Sequence, residues 1–247
     1  MAKYRTGFAW NPVAKPMYEP ARIMPGHVVA DFGCGPGHTA VEIAKWVGSE
    51  GHVHALDINA EFLEQVRENA QRSGFQDQIT AHLSDGKSLP FEDTSLDRVT
   101  ARNTIMYVDD PVATVREFRR VLRLGGLAHA IDGDWYAMVA EPVDRELWRA
   151  FVDAASHTCS NADMGRKLFG AFRAAGFENV EVQVITNADT EGRLMPMVEN
   201  MARYARLSNS MDTQLIDEVV STLQVALENG RYLVCSPQFV VTGTSVR

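Results

Sequence analysis

The chain has 247 residues, a net charge of −8 and a hydrophobic fraction of 45%, which suits one α/β core with an elaboration. The acidic balance disfavours nonspecific binding to nucleic acid or an anionic membrane, and no apolar run approaches the ~20 residues that span a bilayer. Three widely spaced cysteines (Cys34, Cys159, Cys235) argue against a disulfide framework, and no apolar signal core follows the charges of Met1-Ala2-Lys3-Tyr4-Arg5, so a soluble, cytoplasmic protein is expected.

Residues 1–27 mix aromatics with prolines and read as an arm. Val28-Val29-Ala30 is a short strand ending in Asp31, followed by the turn Gly33-Cys34-Gly35-Pro36-Gly37. A helix is predicted from His38 to Val47, with Ala40, Ile43, Ala44 and Val47 on one stripe. The second strand, His52 to Leu56, closes on Asp57. Asn59 is placed to cap the next helix, which turns Phe62, Leu63, Val66 and Ala70 inward and ends at Ser73-Gly74. A third strand, Ile79 to Leu83, runs into Ser84-Asp85-Gly86. A fourth, Leu96 to about Ala101, precedes a helix from Pro111 to Leu122, and Leu124-Gly125-Gly126 leads into a fifth, Leu127 to Ile131.

After Asp134 the rhythm changes. Helices are expected at Pro142–Ser156 and Gly165–Ala175, then a strand at Val180–Thr186. Two more helices, Leu194–Leu207 and Thr213–Leu227, precede a last strand near Tyr232–Thr242, where Pro237 marks a bulge, an edge or two shorter strands. Strands alternating with helices predict a doubly wound parallel sheet whose ligand crevice lies beyond the carboxyl ends of the strands. Gly33–Gly37, Asp57, Asp85, Asn103 and Asp132 all fall at such ends.

The residues of the glycine turn argue against a dinucleotide. That pattern would need a small residue where His38 stands; Pro36 has no N–H to give a phosphate, and Asp31 would set a carboxylate beside a pyrophosphate. A carboxylate there suits a ligand carrying an ammonium and a sulfonium, S-adenosylmethionine (SAM). With Asp31 to Gly37 and Asp57, the chain resembles the class I SAM-dependent methyltransferases. The segments Leu89-Pro90-Phe91, Ser95-Leu96-Asp97, Arg102-Asn103 and Val121-Leu122-Arg123-Leu124-Gly125-Gly126 look like the ubiquinone/menaquinone-biosynthesis type. The resemblance implies a Rossmann-like, mostly parallel seven-stranded sheet with helices on both faces. The arm would cover 1–27, the methyltransferase domain 28–247, and a helical cap insertion about 190–228.

What the resemblance implies for the donor is residue-specific. Asp31, Gly33 and Gly35 would hold the methionine end, and Asp57 the ribose hydroxyls. Ile58 would flank the adenine, Asp85 and the Gly86 N–H would meet its edge, and Asn103 would approach the methionyl part through its backbone. On the acceptor side stand Tyr4, Phe8 and Trp10 of the arm, Met106 and Tyr107 after the fourth strand, Trp135 after the fifth, and Met201 and Tyr204 with their neighbours Met195 and Met197. Methionine and aromatic stripes at helical spacing also build ordinary cores. Asp132 and His157 are the candidate bases, if one is used, whereas His54, His82 and His129 lie within strands. No Asn/Asp-Pro-Pro-aromatic stretch follows the fourth strand, which argues against methylation of nucleic-acid amino groups, and no Cys/His cluster has zinc spacing, so no metal is expected. The reaction expected is methyl transfer from SAM to O, N or C of a small aromatic or apolar metabolite by a monomer or homodimer, leaving S-adenosylhomocysteine. A SAM-binding protein without transfer is the alternative, and a nicotinamide oxidoreductase a weaker one.

Overall fold

The computed structural model describes residues 14–186 and 188–246, and its strands and helices alternate as the periodicity demands. Helix α1 (Ala14–Tyr18) leads through a short 3-10 turn to β1 (Val28–Phe32), α2 (His38–Val47), β2 (His52–Asp57), α3 (Ala60–Ser73) and β3 (Ile79–Leu83). Then follow β4 (Leu96–Arg102), α4 (Pro111–Val121) and β5 (Leu122–Gly133). After β6 (Val139–Glu141) come α5 (Arg145–Ser156), α6 (Met164–Ala174), β7 (Glu178–Ile185) and β8 (Ala188–Asp189). Helices α7 (Met195–Ser208) and α8 (Thr213–Glu228) precede β9 (Leu233–Cys235) and β10 (Gln238–Thr244). The chain divides into two compact units. The first runs to Asp132 and takes in Lys167–Gln183 and the stretch from Val240; the second comprises Gly133–Arg166 and Val184–Phe239.

The first unit is built on a seven-stranded sheet in the order β3-β2-β1-β4-β5-β10-β7. Strands β1 to β5 pair in parallel, with Asp31 beside Ala55 on one side and Thr100 on the other. The chain leaves β1 toward β2 and β3, then returns to lay β4 and β5 on the opposite side. Such a reversal opens a crevice outside the carboxyl ends of β1 and β4. Successive side chains of a strand face opposite ways. Val29 therefore packs with Ile43, Val47, Leu63 and Val66 of α2 and α3, while Phe32 meets Phe118 of α4 edge-on at 5.2 Å. Asn59 caps α3 by accepting from the Glu61 N–H, as its position suggested.

The second unit holds the antiparallel sheet β6-β9-β8 with α5, α7 and α8. Trp148 and Phe151 of α5 stack at 5.4 Å. Tyr232 and the Leu194 N–H both donate to the Asp189 carboxylate, at 3.1 and 2.6 Å.

Two boundaries differ from expectation for local reasons, and at Pro237 one of the expected alternatives, two shorter strands, is realised. Helix α5 starts at Arg145, not Pro142, because the Asp144 carboxylate accepts from the Glu146 and Leu147 N–H groups and caps it there. Strand β5 starts at Leu122: Leu122 pairs with Leu96, the register then shifts, and Leu127 pairs with Arg98, so Arg123–Gly126 form an irregularity inside the strand. Pro237, which cannot donate to a ladder, separates β9 from β10, and these belong to different sheets.

Candidate active site

The end of β1 is tied to the end of β2. The Gly33 and Cys34 N–H groups both donate to the Leu56 carbonyl, at 2.8 and 2.9 Å. Gly33 has φ +70°, and a Cβ there would fall 2.2 to 2.8 Å from the Thr104 side chain, so the glycine admits the turn after β4. Gly35 has φ +53°, and no atom of the described residues lies within 4 Å of where a Cβ would point. Its N–H donates to Asp57 Oδ2 at 2.8 Å.

Asp31 is 2% exposed. Its Oδ1 accepts from Thr100 at 3.0 Å, whereas Oδ2 is buried with no hydrogen-bond partner among the described residues. Burial, helped by the nearby Asp57 carboxylate, pushes the Asp31 carboxyl up to about 7 against the opposing pull of Thr100 and Arg102. An unpaired buried carboxylate oxygen is costly, and a ligand ammonium would satisfy it. The orphaned oxygen and the open face of Gly35 together fit the amino-acid end of SAM.

Asp57 accepts from Gly35 at Oδ2 and from the Asn59 N–H at Oδ1, 2.9 Å. Each carboxylate oxygen keeps a further lone pair for a ligand hydroxyl. Ile58 is 70% exposed, and a Cβ on Gly86 would lie 3.2 Å from its Cγ2, so the loops after β2 and β3 adjoin at an apolar surface. Asp85 turns into its own loop: Oδ1 accepts from the Lys87 and Ser88 N–H groups and Oδ2 from Ser88 Oγ. These bonds hold its carboxyl below the usual range. The Gly86 N–H likewise donates to Ser84 Oγ at 3.0 Å. Both groups assigned to the adenine edge thus already have partners within the turn.

Asn103 adopts φ +49° and donates its N–H to the Ile131 carbonyl at 2.7 Å. The Ile105 N–H donates to Asp132 Oδ2 at 3.1 Å. Asp132 is wholly buried, and burial pushes its carboxyl up to about 8. Met106 is buried and Tyr107 exposed beside it.

The other expected residues belong to the second unit. His157 is exposed at the end of α5, its Nδ1 3.3 Å from the Ala154 carbonyl. Trp135 and Tyr204 stack at 6.4 Å, and with Met201 they are buried. Tyr4, Phe8 and Trp10 lie outside the described residues. Among the described residues no group of three or more His, Cys, Asp or Glu side chains is placed to hold a metal ion.

The structure therefore links Asp31, Gly33, Gly35 and Asp57, sets Ile58 against Gly86, and joins Asn103 and Met106 to Asp132 through one turn. Sequence reasoning missed Thr100, which donates to Asp31, and Thr104, whose hydroxyl lies 3.3 Å from the Gly33 carbonyl. The register Asp31↔Thr100 exposes the first of these. It becomes visible only once β4 is known to lie beside β1.

Residues 29–126 match the family described as a methyltransferase domain. An uncharacterized 37.1 kDa protein in transposon TN4556 of Streptomyces fradiae is 31% identical over 180 residues, 72% of this chain and 51% of that protein. The ubiquinone/menaquinone biosynthesis C-methyltransferase UbiE of Xanthomonas campestris pv. campestris is 35% identical over 121 residues, 47% of this chain and 48% of that one. The chain spans about half the length of these curated relatives. Among solved structures, the YcgJ protein of Bacillus subtilis shares the fold with a TM-score of 0.65 at 19% identity, over 96% of this chain and 99% of that one. Residues 29–126 are thus a methyltransferase domain of the class I, SAM-dependent type.

Proposed function

We propose that the chain is a SAM-dependent methyltransferase acting on O, N or C of a small aromatic or apolar metabolite. The observation that carries this reading is the buried Oδ2 of Asp31, unpartnered among the described residues, at the reversal in strand order between β1 and β4. Bound SAM supplies an electrophilic methyl group on a cationic sulfur. Asp31 accepts the ligand ammonium, the glycine turn keeps side chains clear of the methionyl chain, and Asp57 accepts from the ribose hydroxyls. Ile58 offers apolar area to the adenine. The turn 103–107 presents the exposed Tyr107 at the end of β4, where an acceptor held in line with the methyl group needs little help from a base. The name of the Xanthomonas relative, a quinone-pathway C-methyltransferase, supports an aromatic, apolar acceptor. Incubating the protein with methyl-labelled SAM and a panel of phenols, quinols, amines and prenylated compounds tests the reading. Label recovered on one class supports it. Tight donor binding with no transfer to any panel member, in the presence or absence of added Mg²⁺, would favour a SAM-binding protein of another activity.

A further inference from the structure

We propose that Asp132 is a positioning residue: it takes over the capping of the turn after β4 and thereby frees Thr104 to hold the carbonyl of Gly33. The parallel pair Arg102↔Ile131 ends one residue before Asp132. Asn103 then bends the chain with φ +49° while donating to Ile131. That bend aims the following amides at Asp132, whose Oδ2 accepts from Ile105 at 3.1 Å, with the Thr104 and Met106 N–H groups also facing the carboxyl. Ile105 and Met106 are buried, so their N–H groups need a protein acceptor.

Thr104 stands at the N-cap of this 3-10 turn, where a threonine hydroxyl ordinarily serves the orphan amides, yet its side chain makes no capping bond. The hydroxyl lies instead 2.9 Å from the Arg102 carbonyl and 3.3 Å from the Gly33 carbonyl, and the Thr104 side chain fills the space that a Cβ on Gly33 would need. One buried carboxyl on β5 thus sets the acceptor-side turn, and that turn sets the donor loop. Asp132 Oδ1 has no hydrogen-bond partner among the described residues, and burial pushes the carboxyl up to about 8. Burial favours the neutral acid over the carboxylate, and an amide imitates that acid's acceptor oxygen.

The donor named here rests on the methyltransferase reading; the contacts do not. The test uses S-adenosylhomocysteine as the calorimetric probe, with amide hydrogen exchange over 103–107 and over β2. Asp132→Asn keeps an acceptor oxygen and is expected to bind the probe within about threefold of the parent, whereas Asp132→Ala is expected to weaken it about tenfold or more. Protection of Ile105 should fall in Asp132→Ala, be restored in Asp132→Asn, and stay unchanged in β2 in both. Should Asp132→Ala not fold, Thr104→Val exchanges the hydroxyl for a methyl group and is expected to weaken the probe several-fold in a protein that stays folded. Parental probe affinity in a folded Asp132→Ala or Thr104→Val, or equal loss in Asp132→Asn and Asp132→Ala, would overturn the proposal. If the parent protein binds no probe, the methyltransferase reading fails, and protection of Ile105 in the Asn and Ala variants still decides the role of Asp132.

Discussion

The Asp31 carboxyl gives one oxygen to Thr100 and leaves the other buried without a partner among the described residues, and its ionisation is displaced to about 7 by burial. An unfolded aspartate ionises near 3.8, so between those values the folded protein holds the extra proton, and this group's contribution to stability declines as pH rises through the window. Donor binding runs the other way, because a ligand ammonium needs the ionised carboxylate. Affinity for S-adenosylhomocysteine is expected to fall about tenfold per pH unit below 7 and to level off above it. Titration calorimetry from pH 5.5 to 8.5 checks this, with Asp31→Asn expected to be weak and flat; a parent profile as flat as that variant's would remove Asp31 from the site. At this scale Asp31, the glycines and Asp57 were legible in the sequence because each is a residue type that chemistry demands at a strand end. The engagement of Asp85 by Lys87 and Ser88 was not, since an Asp followed by a loop reads the same whether it faces a ligand or its own backbone.

At the scale of elements, the loop between β1 and α2 separates packing from binding. Gly33 and Gly35 both have positive φ, but of the two only Gly33 has a neighbour among the described residues where a Cβ would go. Gly33→Ala combines left-handed strain of roughly 1–2 kcal/mol with displacement of Thr104, and should lower the melting temperature markedly. Gly35→Ala carries the strain alone, and should lose most S-adenosylhomocysteine affinity at a smaller cost in stability. Thermal melts and calorimetry on the two variants check this order; the reverse order would mean that the open face of Gly35 is not the ligand's. Strands β1 to β4 were legible from apolar runs ended by acids and glycines. The start of β5 was not, because the irregularity at Arg123–Gly126 looks like a turn; Pro237 announced two shorter strands as one of its readings, but not that they join different sheets.

Over the whole molecule, the division into two units was the least legible feature. All four crossings between units fall inside regular elements: after Asp132 in β5, Arg166 in α6, Gln183 in β7 and Phe239 in β10. No Gly-, Pro- or Ser-rich linker marks them, and linker composition is the signal by which a sequence announces a boundary. The parallel sheet and its carboxyl-end crevice were legible, because alternating strands and helices leave few other topologies.

The central claim is that the crevice at the ends of β1, β2 and β4 binds a SAM-type nucleoside and not a dinucleotide. The most direct measurement is calorimetry of the parent protein and Asp57→Ala with S-adenosylhomocysteine and with NAD, alongside thermal melts. Saturation at a hundred times the dissociation constant adds about 2.7 kcal/mol to stability, so S-adenosylhomocysteine should raise the parent's melting temperature by several degrees and NAD should not. Asp57→Ala should lose about tenfold or more in affinity, since each charge-assisted bond to the ribose contributes about 1.5–3 kcal/mol. Tight NAD binding with no heat from S-adenosylhomocysteine, or an unchanged dissociation constant in a folded Asp57→Ala, would contradict it.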